Sequence, residues 1–282
     1  MIKFIECPRD AMQGWPQQIP TEEKISYLNS LLEVGFDTLD FGSFVSAKAI
    51  PQMADTAAVL KGIHPSPKTK LLAIVANVRG AEDAVSHEAV NFLGFPFSIS
   101  ETFQLRNTNK TIAESMEEVQ TMQELCVKNS KQLVIYISMG FGNPYGDPYD
   151  TDIVLHWANA FAELNIPIIS LADTVGVAKP ESISKLFSHL IPAYPEIEFG
   201  AHFHSTPTAW EEKIAAAYDN GCRRFDSALR GIGGCPMAQD DLVGNIATEN
   251  MAAFCIKRGI PLPFSMEKLF EVGALADQVF RH

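Results

Sequence analysis

The chain has 282 residues, 46% of them hydrophobic, and a formal net charge of -12 at pH 7. That length and apolar content can bury one large core, while the acidic balance argues against nucleic acid or an anionic membrane as a general partner. No apolar run is long enough to span a bilayer, and five cysteines, at 7, 126, 222, 235 and 255 without a C-x-x-C pair, argue against a disulfide scaffold or a cysteine-rich zinc site.

The first strand is predicted at 2–7. It follows no basic segment with a long apolar run, so no signal peptide is expected and the expected location is the reducing cytoplasm. A helix begins at about Thr21, with Glu22 and Glu23 suited to its first turn. After the Gly35 break come a strand at 38–41, a helix at 53–61, a strand at 71–76 and a helix at 80–87. The fourth strand begins at 89–92, followed by a helix at 110–128 and a strand at 132–138. A helix at 151–164, a strand at 166–171, a helix at 180–190 and a strand at 198–202 follow. Thr208 and Glu211 fit a capping box opening a helix at 208–219, and the eighth strand is predicted at 224–228. Helices at 246–258 and 265–280 extend past it, to cover the catalytic face or to make a subunit contact.

Eight strands with intervening helices predict an α/β fold, a (β/α)8 TIM barrel with extra C-terminal helices. One catalytic domain is expected over 1–282, with 246–282 as its helical extension. The alternative is an open doubly wound sheet. It calls for a glycine fingerprint after the first strand, where the chain reads Pro8-Arg9-Asp10-Ala11-Met12-Gln13.

Barrel chemistry sits where strands end, and polar residues gather there. Arg9, Asp10 and Gln13 follow the first strand, Asp40 and Ser43 end the second, and Asn77 ends the third. Asp173 and Thr174 follow the sixth, and His202 and His204 end the seventh. Residues two apart in a strand point the same way, so both imidazoles of His202-Phe203-His204 can reach one metal ion. Asp10 and Asn245 are the candidates to complete the site, with magnesium, manganese and zinc all open. The other reading is one buried, hydrogen-bonded histidine and one exposed one. Arg9 can bind a carboxylate or meet charge developing on an oxygen, or it can form a structural ion pair with Asp10, Asp40 or Asp173. Cys235, in Gly231-Ile232-Gly233-Gly234-Cys235-Pro236, is either an acid–base group on a turning loop or a buried inert thiol.

These segments resemble the hydroxymethylglutaryl-CoA lyase family, within the metal-dependent lyases and Claisen-type synthases on TIM barrels. The resemblance runs from Glu6 to about Phe270. It is carried by Pro8-Arg9-Asp10 with Gln13, Ser43-Phe44-Val45-Ser46 with Pro51-Gln52-Met53, Asp173-Thr174-Val175-Gly176, the His202/His204 pair, 231–236, and Gly244-Asn245-Ile246-Ala247-Thr248-Glu249. It implies retro-Claisen cleavage of 3-hydroxy-3-methylglutaryl-CoA to acetyl-CoA and acetoacetate. It implies Asp10, His202, His204 and Asn245 as ligands of a divalent metal, Mg2+ or Mn2+ ahead of Zn2+. Arg9, Asp173 and Cys235 become catalytic residues, and Gln13, Asp40, Ser43 and Asn77 lie around the substrate. The implied partners are an acyl-CoA thioester and a second copy in a homodimer.

The chain departs from the family pattern at Ala11-Met12-Gln13-Gly14-Trp15, at Asp40 in place of a glutamate, at Asn143 in place of a cysteine, and at Ser205-Thr206-Pro207-Thr208. The last removes a carboxylate expected beside the histidines. The departures keep two alternatives in view: a related lyase or aldolase acting on another 3-hydroxyacyl-CoA or hydroxy acid, and a non-catalytic barrel.

Overall fold

The computed structural model describes residues 1–234 and 243–281. The apolar runs form eight parallel strands: β1 (Lys3–Glu6), β2 (Thr38–Ser43), β3 (Lys70–Ile74), β4 (Val90–Ser98), β5 (Gln132–Ser138), β6 (Ile168–Asp173), β7 (Glu198–Ser205) and β8 (Arg224–Ser227). Each pairs with the next, and β8 returns to β1 in the register Lys3–Arg224 to Glu6–Ser227, so the sheet closes. The architecture is the expected (β/α)8 barrel.

Two helices go beyond those the sequence pattern predicts. The turn after β1 is α1 (Pro8–Gln13), started by a proline whose fixed φ suits the first helical position. The chain after β4 carries α5 (Glu101–Thr108), capped by Ser100, before α6 (Ile112–Lys128), which opens with a capping box of Thr111 and Glu114. The other helices are α2 (Thr21–Val34), α3 (Thr56–Gly62), α4 (Val78–Val85), α7 (Thr151–Glu163), α8 (Pro180–Ala193) and α9 (Trp210–Asp219). The capping box expected at Thr208 and Glu211 does not form. Helix α9 starts at Trp210 with no side-chain cap, and Glu211 pairs instead with Lys257.

Beyond β8, α10 (Thr248–Lys257) packs on α9 and α11 (Met266–Val279) packs on α2. They complete the helical ring between those two neighbours. Phe264, between them, lies edge-on to Phe4 and Phe36 at the N-terminal end of the barrel.

Alternation sorts the side chains. Phe4, Leu39, Ala73, Phe95, Ile135 and Phe225 face out into the main core beneath the helices, while Leu72, Ile74, Val134, Tyr136 and Ile168 pack inside the barrel. The interior also takes the whole side chain of Arg224, 1% exposed, with its guanidinium over Phe92. Gly200 makes room for it: a Cβ there would lie 3.0 Å from Arg224 Cδ.

One carboxyl group stitches the closure. Glu6 accepts hydrogen bonds from the Leu229 amide at 2.8 Å and from Thr248 Oγ1 at 2.5 Å, joining β1 to the turn after β8 and to the start of α10. Burial pushes this carboxyl up to about 8, against those hydrogen bonds. The folded chain therefore holds a proton that the unfolded chain has released above about pH 4.5, and stability falls as pH rises from there through about 8. We predict that Glu6→Gln flattens this slope. The difference in unfolding free energy between pH 5 and pH 9, read by urea titration, should shrink by roughly 2–4 kcal/mol. A variant with the wild-type slope would remove Glu6 as its source.

Candidate metal centre

Helix α1 delivers three polar side chains to the C-terminal mouth of the barrel. Asp10 and Gln13, three apart, share a face, and Gln13 Nε2 donates to Asp10 Oδ1 at 2.7 Å. Arg9 reaches sideways. Its Nη2 donates to Asp40 Oδ2 at 2.6 Å, its Nε shares the same carboxylate, and its Nη1 donates to Asp10 Oδ1 at 3.1 Å. All three charged groups are buried. Burial acts against charge on Arg9, but Asp40 and Asp10 override it and hold the guanidinium charged. Burial alone would raise the Asp10 carboxyl, yet Arg9, His202 and His204 keep it below its ordinary range. Burial pushes Asp40 up to about 6 in spite of Arg9.

The histidines come from β7, both facing inward. One ligand atom from each of Asp10, His202 and His204 falls within a 4.8 Å cluster. His204 Nδ1 lies 2.9 Å from the Thr174 carbonyl, so this nitrogen carries the proton and Nε2 keeps its lone pair. That Nε2 is buried and has no hydrogen-bond partner. Burial, then the neighbouring His202, lowers His204 to about 4, which keeps the ring neutral and able to bind a metal. His202 Nδ1 lies 3.0 Å from Asp226 Oδ2. Burial opposes charge on His202, but Asp226 and Asp10 raise it overall. A buried carboxylate, a neutral imidazole with an orphaned nitrogen and a second imidazole braced by a carboxylate fit a divalent cation. Cys7, His202 and Asp226 form a second such cluster. It suits a cation less well, because burial, then the charge of Asp226, pushes the Cys7 thiol well up and keeps it protonated.

Asn245 reaches the cluster by a separate route. The short strand β9 (Gly244–Asn245) pairs antiparallel with β7, setting Asn245 opposite His204. Its Nδ2 donates to Asp10 Oδ2 at 2.6 Å and to the Ile232 carbonyl at 3.1 Å, so the amide nitrogen faces Asp10 in this arrangement. Gly233, with φ at +103°, closes over it. A Cβ there would lie 2.7 Å from Asn245 Nδ2, so only glycine allows the approach.

The cluster lies in the floor of a cavity of about 340 Å³ walled by Val45, Ile50, Ile74, Pro96, Phe103 and Tyr136, with Arg106 and Asn107 from α5 in its lining. A larger cavity, about 760 Å³, is lined by Trp15, Trp210 and Arg230, and its described lining includes Asn245 but none of Asp10, His202 and His204. The smaller one holds the reactive groups and is the candidate active site.

The other sequence candidates fall elsewhere. Strand β6 continues to Asp173, where alternation turns the side chain outward: Lys213 Nζ donates to its Oδ2 at 2.6 Å and the Ala178 amide to its Oδ1 at 3.0 Å. Ser43 Oγ accepts from the Val45 amide and shapes the 43–46 turn, while Asn77 caps α4 through the Gly80 amide. Cys235 lies outside the described residues. Asp226, Tyr136 and Lys213 are absent from the sequence-based candidates. Asp226 carries a readable signal: Arg224 and Asp226, two apart in a predicted strand, must share a face. Asp226 brings a carboxylate from β8 to His202, whereas none follows His204 in Ser205-Thr206-Pro207-Thr208.

Residues 2–276 match the HMGL-like family. The chain is 32% identical over 265 residues to hydroxymethylglutaryl-CoA lyase YngG of Bacillus subtilis, covering 93% of this chain and 87% of that one. It is 31% identical over 277 residues to the human cytoplasmic 3-hydroxy-3-methylglutaryl-CoA lyase, covering 96% and 73%. Among solved structures, an HMG-CoA lyase from Acinetobacter baumannii in complex with coenzyme A and 3-methylmalate superposes with a TM-score of 0.93 at 32% identity, covering 100% of this chain and 92% of that one.

If Asp226 braces His202, removing it loosens the site. We predict that Asp226→Ala weakens Mn2+ binding by about 10–100-fold, and Asp226→Asn by less, with calorimetric titration as the measurement. Wild-type affinity in both variants would show that Asp226 does nothing for the ligand.

Proposed function

This chain belongs to the HMGL-like family, and on that premise we propose that it cleaves 3-hydroxy-3-methylglutaryl-CoA to acetyl-CoA and acetoacetate with a divalent metal ion. The observation that carries the reading is the Asp10, His202 and His204 cluster beside the buried guanidinium of Arg9, at the mouth of the barrel. The carboxylate and amide oxygens suit Mg2+ or Mn2+, which the family resemblance also favours, while the two imidazoles make Zn2+ the competitor. We assign Asp10, His202 and His204 as its ligands, with Asn245 as the fourth residue of the set. When bound, the ion supplies Lewis-acid polarisation of the substrate's oxygens.

The reaction removes the proton of the tertiary hydroxyl, and the hydroxyl-bearing carbon becomes the ketone of acetoacetate. The bond to the neighbouring carbon breaks, its electron pair passes into the thioester as the enolate of acetyl-CoA, and that carbon takes up a proton. Arg9 suits the enolate. A guanidinium has five N–H donors, and the contacts to Asp40 and Asp10 engage its Nε and one direction of each terminal nitrogen. Two N–H directions remain for an oxygen on which charge develops. The apolar walls lower the local dielectric and strengthen that contact. Asp173 is held by Lys213 and the Ala178 amide, so its role is to support the loop.

A coenzyme A thioester suits a cavity whose lining includes Arg106, stacked 4.6 Å over the Tyr145 ring and with no carboxylate partner among the described residues. The four described cysteines are free, in keeping with a reducing, cytoplasmic setting. We also assign a homodimer through the terminal helices, where Ile256 and Phe270 are exposed; light scattering on the purified protein tests it.

The metal-reconstituted protein should form acetoacetate and acetyl-CoA in equal amounts, lose activity on chelation and regain it with Mg2+ or Mn2+. Across a panel of 3-hydroxyacyl-CoA thioesters, the hydroxymethylglutaryl thioester should show the highest kcat/KM; a better substrate would move the assignment to that compound. Arg9→Met should lower kcat by about 10²–10³-fold or more with metal still bound. Undiminished turnover in that variant would sink the role given to Arg9.

A further inference from the structure

Helix α9 carries a charge on its apolar face. Trp210, Lys213, Ile214 and Ala217 follow the spacing that faces a core, and Lys213 is 3% exposed. A buried ammonium is costly unless every proton is used. Here all three are: Lys213 Nζ donates to Asp173 Oδ2 at 2.6 Å, to the His204 carbonyl at 2.8 Å and to the Gly176 carbonyl at 2.9 Å.

These acceptors lie on both sides of one imidazole. The His204 carbonyl is the backbone from which that ring projects. Asp173 precedes Thr174, whose carbonyl takes the ring's Nδ1 proton and whose Oγ1 accepts from the Met139 amide. One ammonium therefore ties the end of β7 to the loop after β6 while the histidine bridges the same two segments. Gly176, at φ +72°, lets that loop turn back to the ammonium. The far end of the ring is the orphaned Nε2.

We infer that Lys213 and Asp173 form a positioning pair that fixes His204 as a metal ligand. The inference rests on the reading of His204 as a ligand. The pair touches neither substrate nor metal; it sets the distance between the two backbones that hold the ring, so its loss frees the ring to turn and Nε2 to leave the cluster.

The test is Mn2+ affinity, followed by the EPR signal of free Mn2+, with circular dichroism and thermal melting alongside. Lys213→Met alone leaves a buried carboxylate unpaired, which is reason enough for it to misfold. The informative variant is therefore Lys213→Met/Asp173→Asn. It removes both charges, while the side-chain oxygen of the introduced asparagine still accepts from the Ala178 amide. We expect this variant to fold and to bind Mn2+ at least 10-fold more weakly, with an altered EPR spectrum of the bound ion. Lys257→Met, which breaks the exposed pair with Glu211, should leave the affinity unchanged. A double variant that folds and binds Mn2+ like the wild type overturns the positioning role and leaves the pair as packing only. A wild-type protein that binds no Mn2+ overturns the ligand reading beneath it.

Discussion

The mouth of this barrel depends on one ionic arrangement, the Arg9 guanidinium held between Asp40 and Asp10. Burying an isolated charge is prohibitive, and burying a pair breaks even only when the remaining donors and acceptors are satisfied. Asp10 meets that condition with donors from Arg9, Gln13 and Asn245. Asp40 meets it through the fork of a single arginine. Their positions follow: α1 must be a helix for Gln13 to reach Asp10, and β9 must lie beside β7 for Asn245 to do so.

The rest of the scaffold exploits the parity of parallel strands. Inward positions near the C-terminal ends of β7 and β8 present His202, His204 and Asp226, and inward positions on β3 and β5 present Ile74 and Tyr136 as wall. A few charged groups on an apolar floor interact more strongly than they would in water. The same parity sends Asp173 to the opposite side of its strand, where it serves the frame.

Much of this is legible in the amino-acid sequence, and the losses have physical reasons. The eight strands are readable because barrel strands are buried on both faces and appear as short apolar runs. Helix α1 looks like a turn, since six residues around a proline carry too little periodicity to register. Asp173 looks as if it faces the site when the sixth strand is ended at Leu171, because a loop residue has no fixed face; once the strand runs on to Asp173, parity puts it on the same outward side as Leu171. Lys213 is hidden because charges on helices are usually solvated, although its place in the stripe with Ile214 and Ala217 marks it as buried. The Thr208–Glu211 box fails because α9 starts at Trp210, with Ala209 at the N-cap, which takes Thr208 and Glu211 out of the capping positions and leaves the glutamate to pair with Lys257 on a neighbouring helix. Asp226 is the reverse case: no carboxylate follows His204 in the sequence, but the paired neighbouring strand β8 brings one to His202.

The bond between Asp10 and Asn245 joins residues 235 positions apart. Contacts of that sequence separation form late, after the loop entropy between them has been spent. Glu6, bonded to Leu229 and Thr248, closes the same seam over a similar span. During synthesis, β1 and its acidic mouth wait for nearly the whole chain before their partners exist. An early, half-built barrel can gather Asp10 and Asp40 around Arg9, but it holds neither histidine nor Asn245. An ion held by Asp10, His202 and His204, as proposed, would be captured only once the ring is complete, and would act as a latch across the seam, stabilising the one junction that the order of synthesis leaves open longest.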